Sequence, residues 1–263
     1  MNKADIGKIV KNYTRTKKDI PNSFFESLQL RNILINGKKI ADIGCGTGIL
    51  TRKIKLRNGN VVGVDPSFEL LQEAKSSNDI HRLNIPYYNG SAENTGLEAN
   101  EYDVVTVMRA WNWFDRNEAL NEIRRILKKD GTLIVADSSF IAAHPVVQTT
   151  ISFFQDVFQI HLVPAGSKAI SKQLINGYPV EWFTEWQNSG FELRDFYKLD
   201  YDISFTNKEW ADRVSSRSYF TELEESQRSF AKNQLLMELD NKFGTEMVHT
   251  IPHACYVCVL KKI

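Results

Sequence analysis

The chain reads Asp42-Ile43-Gly44-Cys45-Gly46-Thr47-Gly48-Ile49-Leu50 at a point where a predicted strand ends and a predicted helix begins. Glycines let a backbone turn tightly and approach a ligand, and the free N–H groups at the start of a helix bind polar ligand atoms. The stretch therefore predicts a nucleotide-like ligand at the carboxyl end of the first strand. The dinucleotide fingerprint is Gly-x-Gly-x-x-Gly, whereas these glycines occupy alternate positions and are followed by isoleucine. That difference disfavours NAD and FAD.

An acidic residue at the end of the second predicted strand supports the same ligand. Asp65 lies 21 positions after Gly44, near the spacing at which a carboxylate accepts hydrogen bonds from ribose hydroxyls. The side chain can also cap a helix that begins after Pro66 and Ser67. Both roles are compatible, but a cap alone leaves the glycines unexplained.

Apolar runs of strand length alternate with helical patterns along most of the chain. Such runs are typical of buried parallel strands, and their alternation with helices predicts βαβ units in a doubly wound sheet. The first five predicted strands cover residues 39–43, 60–65, 86–89, 103–108 and 132–136.

Capping signals predict where several helices begin. Asn22 or Ser23 is positioned to cap a helix that precedes the first strand and stops at Gly37. Asp115 predicts the start of a helix that ends at residues 130–131. Two further starts are predicted later in the chain, at His144-Pro145 and at Thr206.

Composition excludes several classes of partner. The 263 residues carry 33 Lys plus Arg against 32 Asp plus Glu, a formal charge of +1, which argues against a broad basic surface for nucleic acid or anionic lipid. No apolar stretch approaches the roughly 20 residues of a membrane helix, and the first residues lack the apolar run of a secretory signal. We therefore expect a cytoplasmic protein without a nucleic-acid or membrane partner.

The cysteines give no sign of a metal or a disulfide. Cys255 and Cys258 lie in a predicted strand over residues 253–260. Side chains three apart on a strand point to opposite faces, so the pair is poorly placed to share a metal ion or a bond. We predict that both pack in the core and that the protein holds no metal.

The order of the motifs resembles the class I S-adenosylmethionine-dependent methyltransferases, in the small-molecule branch of methyltransferase type 11 and the trans-aconitate and ubiquinone-pathway enzymes. The glycine-rich turn, Asp65, Gly90-Ser91-Ala92-Glu93 and Tyr102-Asp103-Val104-Val105 follow one another as in that family. The resemblance covers roughly residues 36–137. It implies an α/β fold, a Rossmann-like doubly wound seven-stranded mostly parallel sheet with a helical cover inserted after strand five.

The resemblance also implies a layout for a single methyltransferase domain over residues 1–263. An N-terminal helical lid covers residues 1–35, and the cofactor-binding core covers residues 36–137. The substrate cover comprises residues 140–190 and 206–220, and the last sheet strands are expected within residues 191–205 and 245–263.

The cofactor implied by the resemblance is S-adenosylmethionine, with S-adenosylhomocysteine as its product. In the family, the first motif holds the methionine and ribose parts, the acidic residue binds the ribose, and a third segment meets the adenine. A residue after strand four and an N-terminal Tyr-x-x-x-Arg-Pro pattern line the same cleft. The matching positions are Asp42, Gly44, Cys45, Gly46, Gly48, Asp65, Pro66, Ser91, Ala92, Glu93, Arg109 and Tyr13.

The acceptor side is less defined. Residues 109–115 resemble the His-Trp-Phe-Asp segment of the trans-aconitate and ubiquinone-pathway relatives, with Asn112 where His is common. Candidates for the acceptor pocket are Trp111, Trp113 and Phe154, although packing alone explains aromatic residues at such positions equally well. Candidates for a general base are His144, His161 and Tyr13, but an isolated histidine is more often structural.

The predicted activity is in-line methyl transfer from the sulfonium cofactor to a small molecule, for which the protein supplies mainly binding, alignment and exclusion of water. The aromatic-rich cover suggests an acceptor with a flat or apolar portion. A non-catalytic S-adenosylmethionine-binding protein is the alternative, and a nicotinamide-dependent oxidoreductase is less favoured. The methylated atom, the use of a base and the oligomeric state stay open.

Overall fold

The computed structural model describes residues 20–80, 82–160, 166–215 and 224–263. Their central feature is a seven-stranded sheet with the strand order β3-β2-β1-β4-β5-β9-β8. Its strands are β1 (Lys39–Ile43), β2 (Asn60–Asp65), β3 (Tyr87–Asn89), β4 (Tyr102–Met108), β5 (Leu127–Phe140), β8 (Phe191–Thr206) and β9 (Val248–Lys262). A two-stranded hairpin pairs β6 (Leu174–Ile175) with β7 (Tyr178–Pro179).

Helices occupy most connections between these strands. In chain order they are α1 (Asn22–Leu30), α2 (Ile49–Lys55), α3 (Phe68–Ile80), α4 (Arg116–Ile126), α5 (Pro145–Phe158), α6 (Ser167–Ile170), α7 (Val180–Asn188), α8 (Asn207–Ser215) and α9 (Glu225–Phe243), with a short 3₁₀ helix at Trp111–Trp113.

The first five strands of the sheet are parallel. Asp42 of β1 pairs with Gly63 of β2 and with Thr106 of β4, and Met108 of β4 pairs with Ala136 of β5. The carboxyl ends of these strands therefore meet at one edge, where open α/β sheets bind their ligands. The predicted α/β class and mostly parallel seven-stranded sheet are confirmed.

The last strand runs against β5. Near the start of β5, Leu127 accepts a hydrogen bond from the side chain of Lys262, whereas after its end Ile141 donates to the carbonyl of Pro252. Residue numbers on β9 thus fall as those on β5 rise, which makes the pair antiparallel.

Two predicted helix ends are wrong. The helix that begins after Asp115 ends at Ile126, not at residues 130–131, because β5 already starts at Leu127 and the pairing with β4 shifts register there. Asp130 has φ +57°, so the Asp130-Gly131 pair marks an irregularity inside the strand.

The other wrong end belongs to the first helix. α1 ends at Leu30, seven residues before Gly37, and Pro21 precedes it without a capping side chain. The starts at Asp115, His144 and Thr206 are found as predicted, since each side chain accepts a hydrogen bond from a backbone N–H of the following helix.

The contacts divide the chain into two compact units. The sheet unit comprises residues 20–138, 166–199 and 255–263, and among the described residues the second unit comprises 139–160, 200–215 and 224–254. The predicted cover over 140–190 is therefore divided between the units after residue 165. The layout with a lid over residues 1–35 stays a prediction, and residues 1–19 lie outside the described residues.

Each unit has its own apolar core. In the sheet unit, Ile43, Val105 and Leu133 pack with Leu120 and Trp186. In the second unit the core is formed by strand ends and by α5, α8 and α9, with the buried members Val146, Val147, Phe154, Ile203, Phe205, Trp210, Ala211, Val214, Ala231, Leu235, Leu239 and Ile251.

Candidate active site

The glycine-rich turn adopts a backbone that only glycine accepts readily. Gly44, Gly46 and Gly48 have φ values of +68°, +55° and +72°. A Cβ atom on Gly44 would lie 2.6 Å from the Cβ atom of Ala110, and one on Gly48 would lie 2.4 Å from the hydroxyl of Tyr87. At Gly46 no atom lies within 4 Å of that position. Two glycines thus allow close packing, while the third leaves room for a ligand.

Asp65 joins this turn to the second strand. Its Oδ2 accepts a 2.8 Å hydrogen bond from the N–H of Gly46, and its Oδ1 accepts a 2.9 Å bond from the N–H of Ser67. The carboxylate therefore caps the following segment and also fixes the glycine turn. Burial raises its pKa, against these two hydrogen bonds. Each carboxylate oxygen has a second lone pair, which suits a ribose hydroxyl.

Asp42 lies beneath the turn and binds its neighbours rather than solvent. It accepts hydrogen bonds from the hydroxyls of Thr51 on α2, at 2.6 Å, and Thr106 on β4, at 2.9 Å. The side chain is buried, and burial raises its pKa to about 6. Asp42 thus ties β1 to both elements that flank the turn. The two threonines were not selected from the sequence; Thr51 is 9 positions from Asp42 and Thr106 is 64 positions away.

Cys45 lies within the turn as a neutral thiol. Burial raises its pKa well above the ordinary value, and the nearby charges of Asp42 and Asp65 raise it further. Deprotonation is therefore disfavoured, and the residue is suited to contact rather than to nucleophilic chemistry.

The predicted adenine segment lies between β3 and β4. Ser91 and Asn94 exchange backbone hydrogen bonds of 3.1 and 3.2 Å, which closes a tight turn. Ala92 is buried in the core of the sheet unit, and Glu93 accepts a 2.8 Å hydrogen bond from the N–H of Asp115. The segment is thereby held against the start of α4. Its contact with adenine stays a prediction.

Pro66 and Arg109 lie at the carboxyl ends of β2 and β4. Pro66 is exposed, and its carbonyl accepts a 3.0 Å hydrogen bond from Asn89. Arg109 has φ +59°, an uncommon conformation for a residue with a side chain, and its N–H donates to Ala136 at 2.9 Å. Unfavourable backbone conformations of this kind are often found at functional sites.

The aromatic segment after β4 packs against the glycine turn. Trp111 is 2% exposed and contacts the rings of Phe114 and Trp186, with centroid distances of 5.7 and 6.0 Å. Packing accounts for Trp111, whereas Trp113 is only partly buried. Phe114 lies 3.3 Å from the Cβ position of Gly44. Acceptor-pocket roles for the two tryptophans stay predictions.

The remaining candidates lie elsewhere. His144 belongs to the second unit, where its Nδ1 accepts a 3.3 Å hydrogen bond from the N–H of Val146 and caps α5. Phe154 is fully buried in the core of the same unit. Tyr13 and His161 lie outside the described residues.

One polar pair at this edge of the sheet was not predicted. Asp137, the residue after Ala136 on β5, forms an ion pair with Lys168 of α6. The two residues are 31 positions apart, so no local sequence pattern announces the contact. Cys255 lies near this pair, since the charge of Asp137 adds to burial in raising its thiol pKa to about 12.

The described parts of the chain contain no group of three His, Cys, Asp or Glu side chains arranged to hold a metal ion. No helix among them is long and apolar enough to cross a membrane.

Comparisons with known proteins agree with this geometry. Residues 41–135 match the methyltransferase domain family. The chain is 29% identical over 191 residues to the ubiquinone/menaquinone biosynthesis C-methyltransferase of Campylobacter jejuni, covering 63% of this chain and 75% of that protein. It is 25% identical over 221 residues to the ubiquinone biosynthesis O-methyltransferase of Haemophilus ducreyi, covering 77% of this chain and 90% of that protein.

A solved structure supports the fold across nearly the whole chain. A SAM-dependent methyltransferase from Aquifex aeolicus superposes with a TM-score of 0.57 at 12% identity, covering 99% of this chain and 100% of that one. The match begins within β1 and ends within β5, so it contains the glycine turn, Asp65 and the predicted adenine segment. The chain is therefore a methyltransferase with a Rossmann-like fold.

Proposed function

We propose that this enzyme transfers the methyl group of S-adenosylmethionine to a small-molecule acceptor by in-line displacement. The observation that carries the proposal is the open space over Gly46 beside the carboxylate of Asp65. A Cβ atom would occupy that space, so the sequence preserves room for a ligand at the position where a ribose hydroxyl meets an acidic side chain.

Different residues of the chain bind different parts of the cofactor or hold the glycine turn in place. Asp65 accepts hydrogen bonds from the ribose, and its bond to Gly46 holds the turn in the conformation that leaves the ligand space open. Asp42, through Thr51 and Thr106, fixes the turn to its flanking helix and strand. Ser91, Ala92 and Glu93 form the adenine side. The cofactor supplies an activated methyl carbon, so the protein chiefly orients the acceptor and excludes water.

For the acceptor we propose a small molecule with an aromatic or apolar portion. The alignments with two relatives include most of each relative's length. These relatives are named for steps in quinone biosynthesis, one as a C-methyltransferase and one as an O-methyltransferase. Trp113, a partly buried ring in the aromatic segment after β4, is consistent with a flat acceptor. The two names differ in the methylated atom, and the proposal therefore covers both carbon and oxygen.

The test combines cofactor binding with a search for the acceptor. Calorimetry with S-adenosylhomocysteine and NADH should show binding of the first only, and Asp65→Ala should weaken it at least about tenfold. Incubation with methyl-labelled cofactor and pooled metabolites, read by mass, then identifies the product. Binding without label transfer to any acceptor would support the non-catalytic alternative, and preference for NADH would support an oxidoreductase.

A further inference from the structure

The strand register places the unpredicted pair Asp137 and Lys168 at the level of the cofactor turn. Asp42 pairs with Thr106, Thr106 pairs with Ile134, and the β4–β5 register continues to the pair Met108 and Ala136. Asp137 therefore follows at the level of Cys45, across the two strand spacings that separate β1 from β5. With strands about 4.8 Å apart, this separation is about 10 Å, so Asp137 lies at the same edge of the sheet as the turn, with the carboxyl end of β4 between them.

Lys168 is fixed in place by the segment that follows β4. Gly166 has φ +63°, and a Cβ atom there would lie 2.3 Å from the carbonyl oxygen of Asn112. The hydroxyl of Ser167 donates to the same carbonyl at 3.3 Å. The start of α6 thus rests on the aromatic turn, and its position delivers Lys168 to the carboxyl end of β5.

The ammonium of Lys168 has a second set of neighbours. It lies 5.3 Å from the ring centroid of Tyr178 and 5.7 Å from that of Trp182, close enough for cation–π attraction. The side chain of Lys168 is 13% exposed and that of Asp137 is 27% exposed. The rings of Tyr178 and Trp182 thus stabilise the position of Lys168, while the carboxylate of Asp137 is exposed enough to contact a small molecule.

Asp42, Asp65 and Cys255 are less suited to take the proton of an acceptor hydroxyl. None of the described residues of this unit is a histidine. Asp42 and Asp65 each bind two groups that fix the glycine turn, and the Cys255 thiol stays neutral. Asp137 combines a partly exposed carboxylate with a place at the ligand edge.

We propose that Asp137 is the general base for an acceptor with a hydroxyl group and that Lys168 is the residue that positions its carboxylate. This inference rests on the proposed methyl transfer. The acceptor oxygen forms a bond to the methyl carbon while the carbon–sulfur bond breaks and its electron pair goes to sulfur. The hydroxyl proton passes to the carboxylate of Asp137 and then to water.

The experiment uses Asp137→Asn and Lys168→Met, assayed with the acceptor identified in the pooled screen and with its thiol analogue. We expect Asp137→Asn to lower kcat for the hydroxyl acceptor at least about 100-fold, the lower end of the range for general-base catalysis. Transfer to the thiol analogue should stay within about threefold, because a thiol ionises without such help. Lys168→Met should lower kcat with little change in KM, and Lys168→Arg should restore part of the loss.

Lys128→Met is the matched control. Lys128 pairs with Asp103 at the amino ends of β5 and β4, with 3.0 Å between Nζ and Oδ1, and its loss should leave kcat within about twofold. Three results would each overturn the base role of Asp137. They are equal losses of kcat with the hydroxyl and thiol acceptors, an unchanged kcat in Asp137→Asn, and methylation at an atom that carries no hydroxyl. A wild-type protein that binds S-adenosylhomocysteine but transfers no methyl group would instead refute the proposed function itself.

Discussion

Gly46→Ala tests whether the open space over the turn belongs to the cofactor. Gly46 has φ +55°, so an alanine there costs roughly 1–2 kcal/mol of folding free energy from backbone strain alone. The new methyl group meets no protein atom within 4 Å, so it adds no further clash in the free protein. In the complex it would occupy space that we assign to the cofactor, and overpacking of this kind typically costs 1–3 kcal/mol.

The expected result is a dissociation constant for S-adenosylhomocysteine that rises about 5- to 150-fold, measured by calorimetry at a temperature where both proteins are folded. Gly37→Ala is the matched control, because Gly37 has φ +71°, likewise has no atom within 4 Å of its Cβ position, and lies before β1 at the opposite end of that strand. It should lose similar stability and keep full affinity. An unchanged affinity in Gly46→Ala would refute the assignment of that space.

Three further substitutions test the surrounding framework. Asp42 has a pKa of about 6 against 3.8 when unperturbed, so folding stability should fall as pH rises from about 4 to 6, by an amount on the order of 3 kcal/mol. Asp42→Asn should flatten that part of the melting temperature profile. The hydrogen bond from Arg125 lowers the pKa of Glu122 to about 2. The charged form of Glu122 should therefore stabilise the fold above pH 4.5, and this stabilisation should be lost as pH falls towards 2. Glu122→Gln should lower the free energy of unfolding by roughly 1.5–3 kcal/mol in urea denaturation at pH 7. His144→Ala should cost about 1 kcal/mol through the lost cap and leave kcat unchanged, whereas a loss of kcat above 100-fold would make His144 a base.

The positions of the glycine turn and of Asp65 at strand ends were predictable because their signals are local. The three glycines and Asp65 are each placed by the end of a strand, and the order of strands follows from the alternation of apolar runs with helices. The sequence did not show whether Trp111 is buried, since an aromatic residue after a strand suits a pocket wall and a core equally. The contact with Trp186, a residue 75 positions later, shows that the Trp111 ring packs in the core.

The start of β5 and the ion pair between Asp137 and Lys168 were not predictable, because both depend on contacts between segments that are distant along the chain. Asp130-Gly131 carries the usual signal of a helix end, but pairing with β4 already begins at Leu127 and outweighs the local preference. Lys168 reaches Asp137 only because Gly166 allows α6 to approach Asn112 closely. Such contacts depend on the assembled sheet, and neither periodicity nor motif spacing encodes them.

Under the proposed function, the hydrogen bond between Gly46 and Asp65 supports both the fold and cofactor binding, so affinity and stability must be measured separately. Asp65 holds the turn through Gly46, and a cofactor bound at 100 times its dissociation constant would stabilise the folded state by about 2.7 kcal/mol. That gain is comparable to the strain expected from Gly46→Ala. A melting experiment with cofactor present would therefore merge lost binding with lost stability. The ligand-free melts of Gly46→Ala and Gly37→Ala isolate the strain, and the difference that appears on adding S-adenosylhomocysteine reports the binding site alone.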